Sequence, residues 1–463
     1  MPRHHKNSSG DDDTIVAVIT PPGEGGIAAL RLCGSRSLTL INRFFKSAYH
    51  KNKRFTPFLM RYGYFAIDDN STLDEITAVF MPEGESYTGL DQVEIFCHGG
   101  RQVVKKILDE LIAAGARPAT PGEFTRMAFL NGRIDLTRAE AVADIIAANT
   151  DWSYRVSREH LLGAYSRHIE NLRKKLVAAL ADIEASIDFP DEEIVTAESE
   201  ELLETVDDIR HQIEELLATY TGGRIVREGF KIAIGGRPNA GKSSLFNQLL
   251  QKERALVHPT AGTTRDYLSE WIDLEGIAVN LIDTAGLREK GSQVEQDGHK
   301  QALKIMGDAD LVIWMVDISL RGWKSKLEID LKLLNKKVIL LVGNKIDLVK
   351  GQYDTNGYVD MALISCLNGS GIESLKERIS ELINDNMPDL TSGTVVTSAR
   401  HKHKLEQAIE FIKNAREKIA ADDSPELTAF ELNQAVKTLD EITGKVYNEQ
   451  ILDEIFARFC IGK

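Results

Sequence analysis

The segment Gly236-Arg237-Pro238-Asn239-Ala240-Gly241-Lys242-Ser243, with Ser244 behind it, sets glycines, a lysine and a hydroxyl at the spacing that wraps main-chain N–H groups round a phosphate. An apolar run, Lys231 to Gly235, precedes it and a helical run, Ser244 to Leu250, follows, so the loop opens a helix whose N-terminus favours anions. Lys242 is placed to reach terminal phosphates and Ser243 to ligate magnesium. Further on, a strand-like run ends in Asp283-Thr284-Ala285-Gly286, where the carboxylate can hold the magnesium shell through water and Gly286 lets main chain approach phosphate. Between the two lies Gly262-Thr263-Thr264-Arg265-Asp266, in which Thr264 adds a magnesium hydroxyl once a terminal phosphate orders the loop.

The base is read elsewhere. In Asn344-Lys345-Ile346-Asp347 the carboxylate can accept two hydrogen bonds from the amino and ring N–H groups of guanine, a pattern adenine lacks. Ser365-Cys366-Leu367 follows the next strand-like run and completes the base site. Guanine nucleotide is therefore the expected ligand, and an ATP-using enzyme is disfavoured. Hydrolysis needs a positioned water and a charge to offset the transition state. Leu287 follows Gly286 and cannot hydrogen-bond a water, so the catalytic polar group must come from elsewhere, with Arg288, Glu289 and Glu295 nearby. Asn239 carries a side-chain carbonyl that can hold a monovalent cation where an arginine finger would otherwise sit.

These motifs need a scaffold. With 463 residues, 43 % of them hydrophobic and 27 % charged, the chain is expected to be globular and multidomain. Its first thirteen residues are polar and read as a frayed tail. No apolar run approaches a membrane span, and the scattered Cys33, Cys97, Cys366 and Cys460 suggest neither disulfides nor a zinc ribbon, which fits a cytoplasmic protein without a membrane partner. A net charge of −14 argues against broad nucleic-acid binding, so any RNA contact must be local.

Thr14 to Thr20, Ile27 to Cys33 and Val93 to Cys97 read as strands and Val103 to Ala114 as a helix, an α+β pattern. Apolar residues then recur at helical spacing from Ile169 to Ile187 and from Leu202 to Tyr220, where Thr221-Gly222-Gly223 is read as a break. Short continuous apolar runs beyond Phe230 (Lys231 to Gly235, Ala278 to Asp283, Leu311 to Asp317, Lys337 to Gly343, Ala362 to Ser365) mark a parallel-rich sheet with helices on both faces. Helical spacing returns at Leu405, Ile409, Ile412, Leu432, Ala435, Leu439 and Ile442, and packing the flanking helical parts together would make the nucleotide domain an insertion. The fold class is multidomain α/β plus α.

The nucleotide motifs, taken with Thr20-Pro21-Pro22-Gly23-Glu24-Gly25-Gly26, Glu94 to Gly100, Pro121 to Thr125, Asn131 to Leu136 and the terminal Phe459-Cys460-Ile461-Gly462-Lys463, closely resemble the MnmE or TrmE family over nearly the whole chain. The resemblance implies a tail (1–13), an N-terminal tetrahydrofolate-binding and dimerisation domain (14–132), a discontinuous helical domain (133–225 plus 391–463) and an inserted Ras-like G domain (226–390). It also implies a homodimer that acts with an FAD-dependent MnmG-type partner in a heterotetramer, FAD lying on that partner. Together they would install an aminomethyl-type group at carbon 5 of the wobble uridine of certain tRNAs, the carbon coming from a 5-formyl- or methylene-tetrahydrofolate. GTP with Mg²⁺ and K⁺ would bind this chain, potassium at Asn239, Thr263 and the carbonyls of His258 and Thr260, and the water-orienting residue falls on Glu295. Folate contacts map to Arg31, Glu94, Arg133 and Lys463.

Three further features have bland readings beside functional ones. Cys460 near a folate invites a nucleophilic role, yet a small buried apolar residue is the commoner fate of cysteine. His98 after Cys97 has no evident orienting acid and reads as packed in a glycine turn. Arg155, Arg158, Arg167, Arg173, Lys174 and Lys175 could touch tRNA phosphates or form one solvated helix face, the reading favoured here. The G-domain motifs leave two roles open, an enzyme subunit in tRNA modification and a switch that times ribosome or RNP assembly.

Overall fold

A computed structural model describes residues 13–49, 54–68, 70–188, 199–252, 268–284, 302–333, 339–349, 355, 357–358, 360–385 and 394–463. By contacts the chain divides into two units, Met1–Ala143 with Thr443–Lys463, and Asp144–Ile442.

In the first unit, β1 (Ile15–Val18), β2 (Gly25–Cys33), β3 (Phe45–Ser47), β4 (Arg61–Ala66), β5 (Thr72–Met81), β6 (Gln92–Gly99) and β7 (Arg117–Pro118) form a sheet in the order β3-β4-β5-β6-β2-β1-β7. Its pairs are antiparallel except β1 with β7. Alternating residues Leu30, Leu32, Phe65, Ile76 and Ile95 bury one face against α1 (Ser37–Phe44) and α2 (Arg101–Ala113), through Ile41, Ile107 and Leu111. The register Arg31↔Glu94 sets those two side chains side by side on neighbouring strands. α3 (Glu123–Leu130) and α4 (Leu136–Ala147) follow.

Across the strands, His98 Nδ1 lies 2.7 Å from Asp74 Oδ1, and its main-chain N–H donates to Asp74 Oδ2 at 2.8 Å. The histidine therefore has an acid partner and stands in solvent, where the sequence suggested a packed ring with none. The strand register, which brings residue 74 to residue 98, is what spacing along the chain cannot show. Hydrogen bonding and attraction to Asp74 raise the His98 pKa above 6.5. A raised folded-state value contributes stability below the unfolded pKa that is lost as pH rises through the folded one. His98→Gln should thus narrow its stability gap to the parent protein between about pH 5.5 and pH 8.5, as read by urea midpoints at both values.

In the second unit, α5 (Asp151–Leu161) leads into α6 (Ala164–Asp188) and α7 (Ser199–Ala218), and the helical residues resume in α12 (Ala399–Ala420) and α13 (Pro425–Thr443). Ile169, Leu172, Leu176, Ile209 and Ile213 share one core with Leu405, Ile412, Leu432, Leu439 and Ile442, so the two stretches make a single bundle and the sheet between them is an insertion. Thr221-Gly222-Gly223 does not end the helical region: α8 (Tyr220–Glu228) runs through both glycines. A Cβ on Gly223 would stand 2.3 Å from the Val396 carbonyl, so Gly223 serves close packing against 395–396 instead of a turn. The basic stretch does not form one solvated helix face: it is divided between α5 and α6, and while Arg158 pairs with Glu159 and Lys175 with Asp208 at the surface, Arg173 reaches across to buried Asp440 of α13.

The inserted sheet runs β13-β12-β11-β8-β10-β9, with β8 (Phe230–Gly236), β9 (Leu268–Leu274), β10 (Ile277–Asp283), β11 (Leu311–Asp317), β12 (Ile339–Asn344) and β13 (Ala362–Leu363). All its pairs are parallel except β9 with β10, an edge hairpin. Both faces are covered, by α9 (Lys242–Lys252), α10 (Trp323–Leu333) and α11 (Ile372–Asn384) among others, which explains the uninterrupted apolar runs of the central strands. The last helix, α14 (Glu449–Phe456), packs Leu452 and Phe456 with Phe129 and Leu136 in the first unit. No described helix is long and apolar enough to cross a membrane.

Candidate active site

The phosphate-binding loop joins β8 to α9. Asn239 sits at φ 63° and Gly241 at φ 104°, turning successive main-chain amides toward one concavity at the start of α9. Buried Lys242 donates from Nζ to the carbonyls of Gly236 (3.0 Å) and Arg237 (3.1 Å), which holds the ammonium over the loop. Ser243 Oγ donates to Asp283 Oδ2 at 2.8 Å, and Asp283 is fully buried at the end of β10. A hydroxyl and a carboxylate so placed form an oxygen-donor pair suited to a hard cation and its water shell. Thr284 is tied down by its hydroxyl, which donates to the Ile234 carbonyl at 2.8 Å.

Asn344, at the end of β12, joins the loops. Its amide donates to the Ala240 carbonyl at 2.8 Å and its oxygen accepts from the Cys366 N–H at 3.1 Å. Ser365 Oγ donates to Asp347 Oδ1 at 2.5 Å, orienting the carboxylate expected to read the base, and Leu367 beside it is exposed. Burial pushes the Cys366 thiol up to about 11, so its contribution comes from the main chain. Lys345, at φ 69°, extends its ammonium to Asp317 Oδ2 at 2.6 Å. Burial opposes ionisation of Asp317, but hydrogen bonds from Lys345 and Ser319 outweigh it and hold the acid below the usual carboxylate range.

Two supporting pairs escape sequence reasoning. Asp317 ends β11 beside the Asn344 motif; a carboxylate closing an apolar strand was the available signal. Arg237, inside the loop, grips buried Asp330 of α10 through Nε (2.9 Å) and Nη2 (2.8 Å), which anchors the loop laterally. Nothing in the linear spacing links residues 237 and 330. The remaining candidates His258, Thr260, Thr263, Thr264, Ala285, Gly286, Arg288, Glu289 and Glu295 lie outside the described residues.

A second cluster lies in the first unit. Arg31 donates to Glu94 Oε1 from Nε (3.0 Å) and Nη2 (2.8 Å), and its guanidinium lies 5.3 Å from the Tyr87 ring centroid and 5.4 Å from that of Phe124. The Phe124 N–H donates to the carbonyl of Lys463 at 3.2 Å, which brings the chain terminus to this cluster. Arg133 donates to the Gly84 carbonyl at 2.7 Å. Cations, a carboxylate and aromatic faces together suit a flat, acidic heteroaromatic ligand. Cys460 is exposed, contrary to the burial expected for it, because it follows buried Phe459 into the terminal turn. By contrast Cys33 and Cys97 are buried, and burial pushes both thiols up to about 11.

Comparison with known proteins gives the family. Family models described as "GTP-binding protein TrmE N-terminus" and "MnmE helical domain" match residues 14–133 and 136–460. The chain belongs to the MnmE/TrmE family. A relative from Natranaerobius thermophilus, "tRNA modification GTPase MnmE", is 42 % identical over 98 % of this chain and 100 % of its own length. A relative of that name from Aquifex aeolicus is 39 % identical over 97 % of this chain and 100 % of its own. Among solved structures, the G domain of the T. maritima FeoB iron transporter is 31 % identical, covers 33 % of this chain and 98 % of its own, and has a TM-score of 0.26, too low to add to the assignment. As an MnmE-family member the chain is a GTPase, and the loop 236–243 lies in the inserted sheet domain.

Proposed function

We propose that this chain hydrolyses GTP in a potassium-dependent cycle and that the cycle serves tRNA modification at carbon 5 of the wobble uridine, carried out with an FAD-dependent MnmG-type partner. The reading is supported most by one observation: Asn344 ties the P-loop at Ala240 to the base-reading segment at Cys366, while Ser243 and Asp283 stand together below. That arrangement prepares a single site for the phosphates and base of one nucleotide.

Lys242 and the loop amides bind and orient the phosphates, and Asp347, held by Ser365, selects guanine. Ser243 and Asp283, with Thr264, are the residues that would hold magnesium, which neutralises charge on the phosphates when bound. Asn239 offers a side-chain carbonyl to potassium, with Thr263 and the carbonyls of His258 and Thr260. Glu295 is the proposed water-orienting residue, and Arg288 a further candidate. Arg31, Glu94, Arg133 and Lys463 are the proposed tetrahydrofolate-binding residues of a homodimer, with exposed Cys460 near Lys463 in the terminal turn. The boundaries 14–132, 133–225 plus 391–463, and 226–390 remain the proposed domain plan.

Steady-state GTP hydrolysis in matched potassium and sodium buffers tests this. Potassium should accelerate turnover at least tenfold, and Asn239→Ala should remove that stimulation while still binding GDP, a loss of about 1.4 kcal/mol or more of transition-state stabilisation. Equal rates in both salts would remove the cation from the mechanism.

A further inference from the structure

The β9–β10 hairpin connects the nucleotide site with the helical part of the second unit. One end of it lies at the site: Asp283 closes β10, pairs with Leu268 at the start of β9, and accepts from Ser243. Its other end is the turn Glu275-Gly276, with φ 51° and 84°. Seven paired positions separate the two ends, about 20 Å at roughly 3.4 Å per residue. β10 is held on both sides, by β8 and β9, whereas β9 is the sheet edge.

The turn rests on Trp152 of α5. A Cβ on Gly276 would lie 3.3 Å from Trp152 Cδ1, so the indole edge packs directly against the turn. Trp152 packs both on the core of the inserted sheet and on the cluster of Val156, Val226 and Val395. It stands in the first turn of α5, which Thr150 and Ser153 cap reciprocally through both side chains. A reciprocal contact stands beside it: a Cβ on Gly229, at the end of α8, would lie 2.4 Å from Cζ3 of Trp271 in β9. Each of these two glycines thus receives a tryptophan from the opposite side of the junction. Ion pairs fix α8 between them, Arg227 Nε to Asp144 Oδ1 at 2.9 Å and Arg224 to Asp310, whose other oxygen accepts from the Lys231 N–H at 2.9 Å.

We infer that Trp152 is a positioning residue for GTP hydrolysis: lying outside the sheet, it seats the hairpin tip and through the hairpin sets Asp283 and the start of β9. This rests on the reading of the inserted sheet as the site of GTP hydrolysis. A strand pair is stiff along its length, so a displacement at the tip is carried to the far end, where small misplacements of catalytic groups are costly. Binding linkage is reciprocal, so a nucleotide-dependent shift of β9 would also press on α5 and the bundle.

The test is GTP turnover of the full chain carrying Trp152→Ala, Trp152→Leu or Trp152→Phe, with fluorescent GDP affinity and thermal melting measured alongside. The alanine and leucine variants should lose about five- to twentyfold in kcat, with GDP affinity within about twofold of the parent, and phenylalanine should restore most of the rate. A purely structural role would lower GDP affinity and kcat together in every variant that remains folded, and that result overturns the proposal. Parental kcat in Trp152→Leu overturns it as well, even where Trp152→Ala does not fold. Absence of turnover in the parent protein would instead overturn the GTPase reading on which the proposal rests.

Discussion

Replacing Asp347 by Asn should weaken GTP binding roughly 100- to 1,000-fold and improve binding of xanthosine triphosphate. A carboxylate accepts from both the ring N–H and the amino group of guanine, and hydrogen bonds to a charged partner contribute about 1.5–3 kcal/mol each. The amide turns one acceptor into a donor facing the guanine amino group, whereas xanthine presents a carbonyl there. Ser365 holds the side chain at 2.5 Å, so the substituted residue keeps its place and the contrast reports chemistry and not displacement. Competition against a fluorescent GDP gives both affinities. GTP affinity within threefold of the parent would show that Asp347 does not read the base.

Gly241→Ala should abolish measurable nucleotide binding by a different route. Gly241 lies at φ 104°, where a side chain strains the backbone by about 1–3 kcal/mol, and its Cβ would stand 2.1 Å from Asn344 Nδ2. Relief requires Asn344 to move, which breaks its hydrogen bonds to the Ala240 carbonyl and the Cys366 N–H. One methyl group thus parts the phosphate loop from the base-reading segment, and GDP affinity should fall at least 100-fold, in line with roughly 3 kcal/mol of lost contacts. Isothermal titration measures it, with melting temperature showing whether the fold survives. Retention of tight GDP binding would mean that Asn344 can step aside, and that its links between the loops are dispensable.

Much of this was legible in the chain. Glycine spacing around Lys242, a strand ending at Asp283 and the Asn344 to Asp347 string need only local geometry, because each works from one loop at the end of one strand. The central strands could be read because burial on both faces leaves a continuous apolar run, and the bundle because helical stripes at Ile169 and Leu405 each require a partner surface. Other features depended on the register and packing of distant segments. Asp74 meets His98 only once β5 and β6 are aligned, and Asp330 meets Arg237 only once α10 lies along the P-loop. Gly222 and Gly223 looked like a helix stop because glycine at a turn and glycine at a close contact are identical in sequence, and only the position of Val396 against Gly223 separates them. The chain by itself determined the family, the nucleotide motifs and the insertion of a sheet into a helical bundle, since these follow from residue type and local periodicity. Tertiary structure alone decided the Arg31–Glu94 ion pair beside Tyr87 and Phe124, the lateral anchor of the P-loop and the seating of the β9–β10 turn on Trp152, because each is a meeting of groups far apart along the chain.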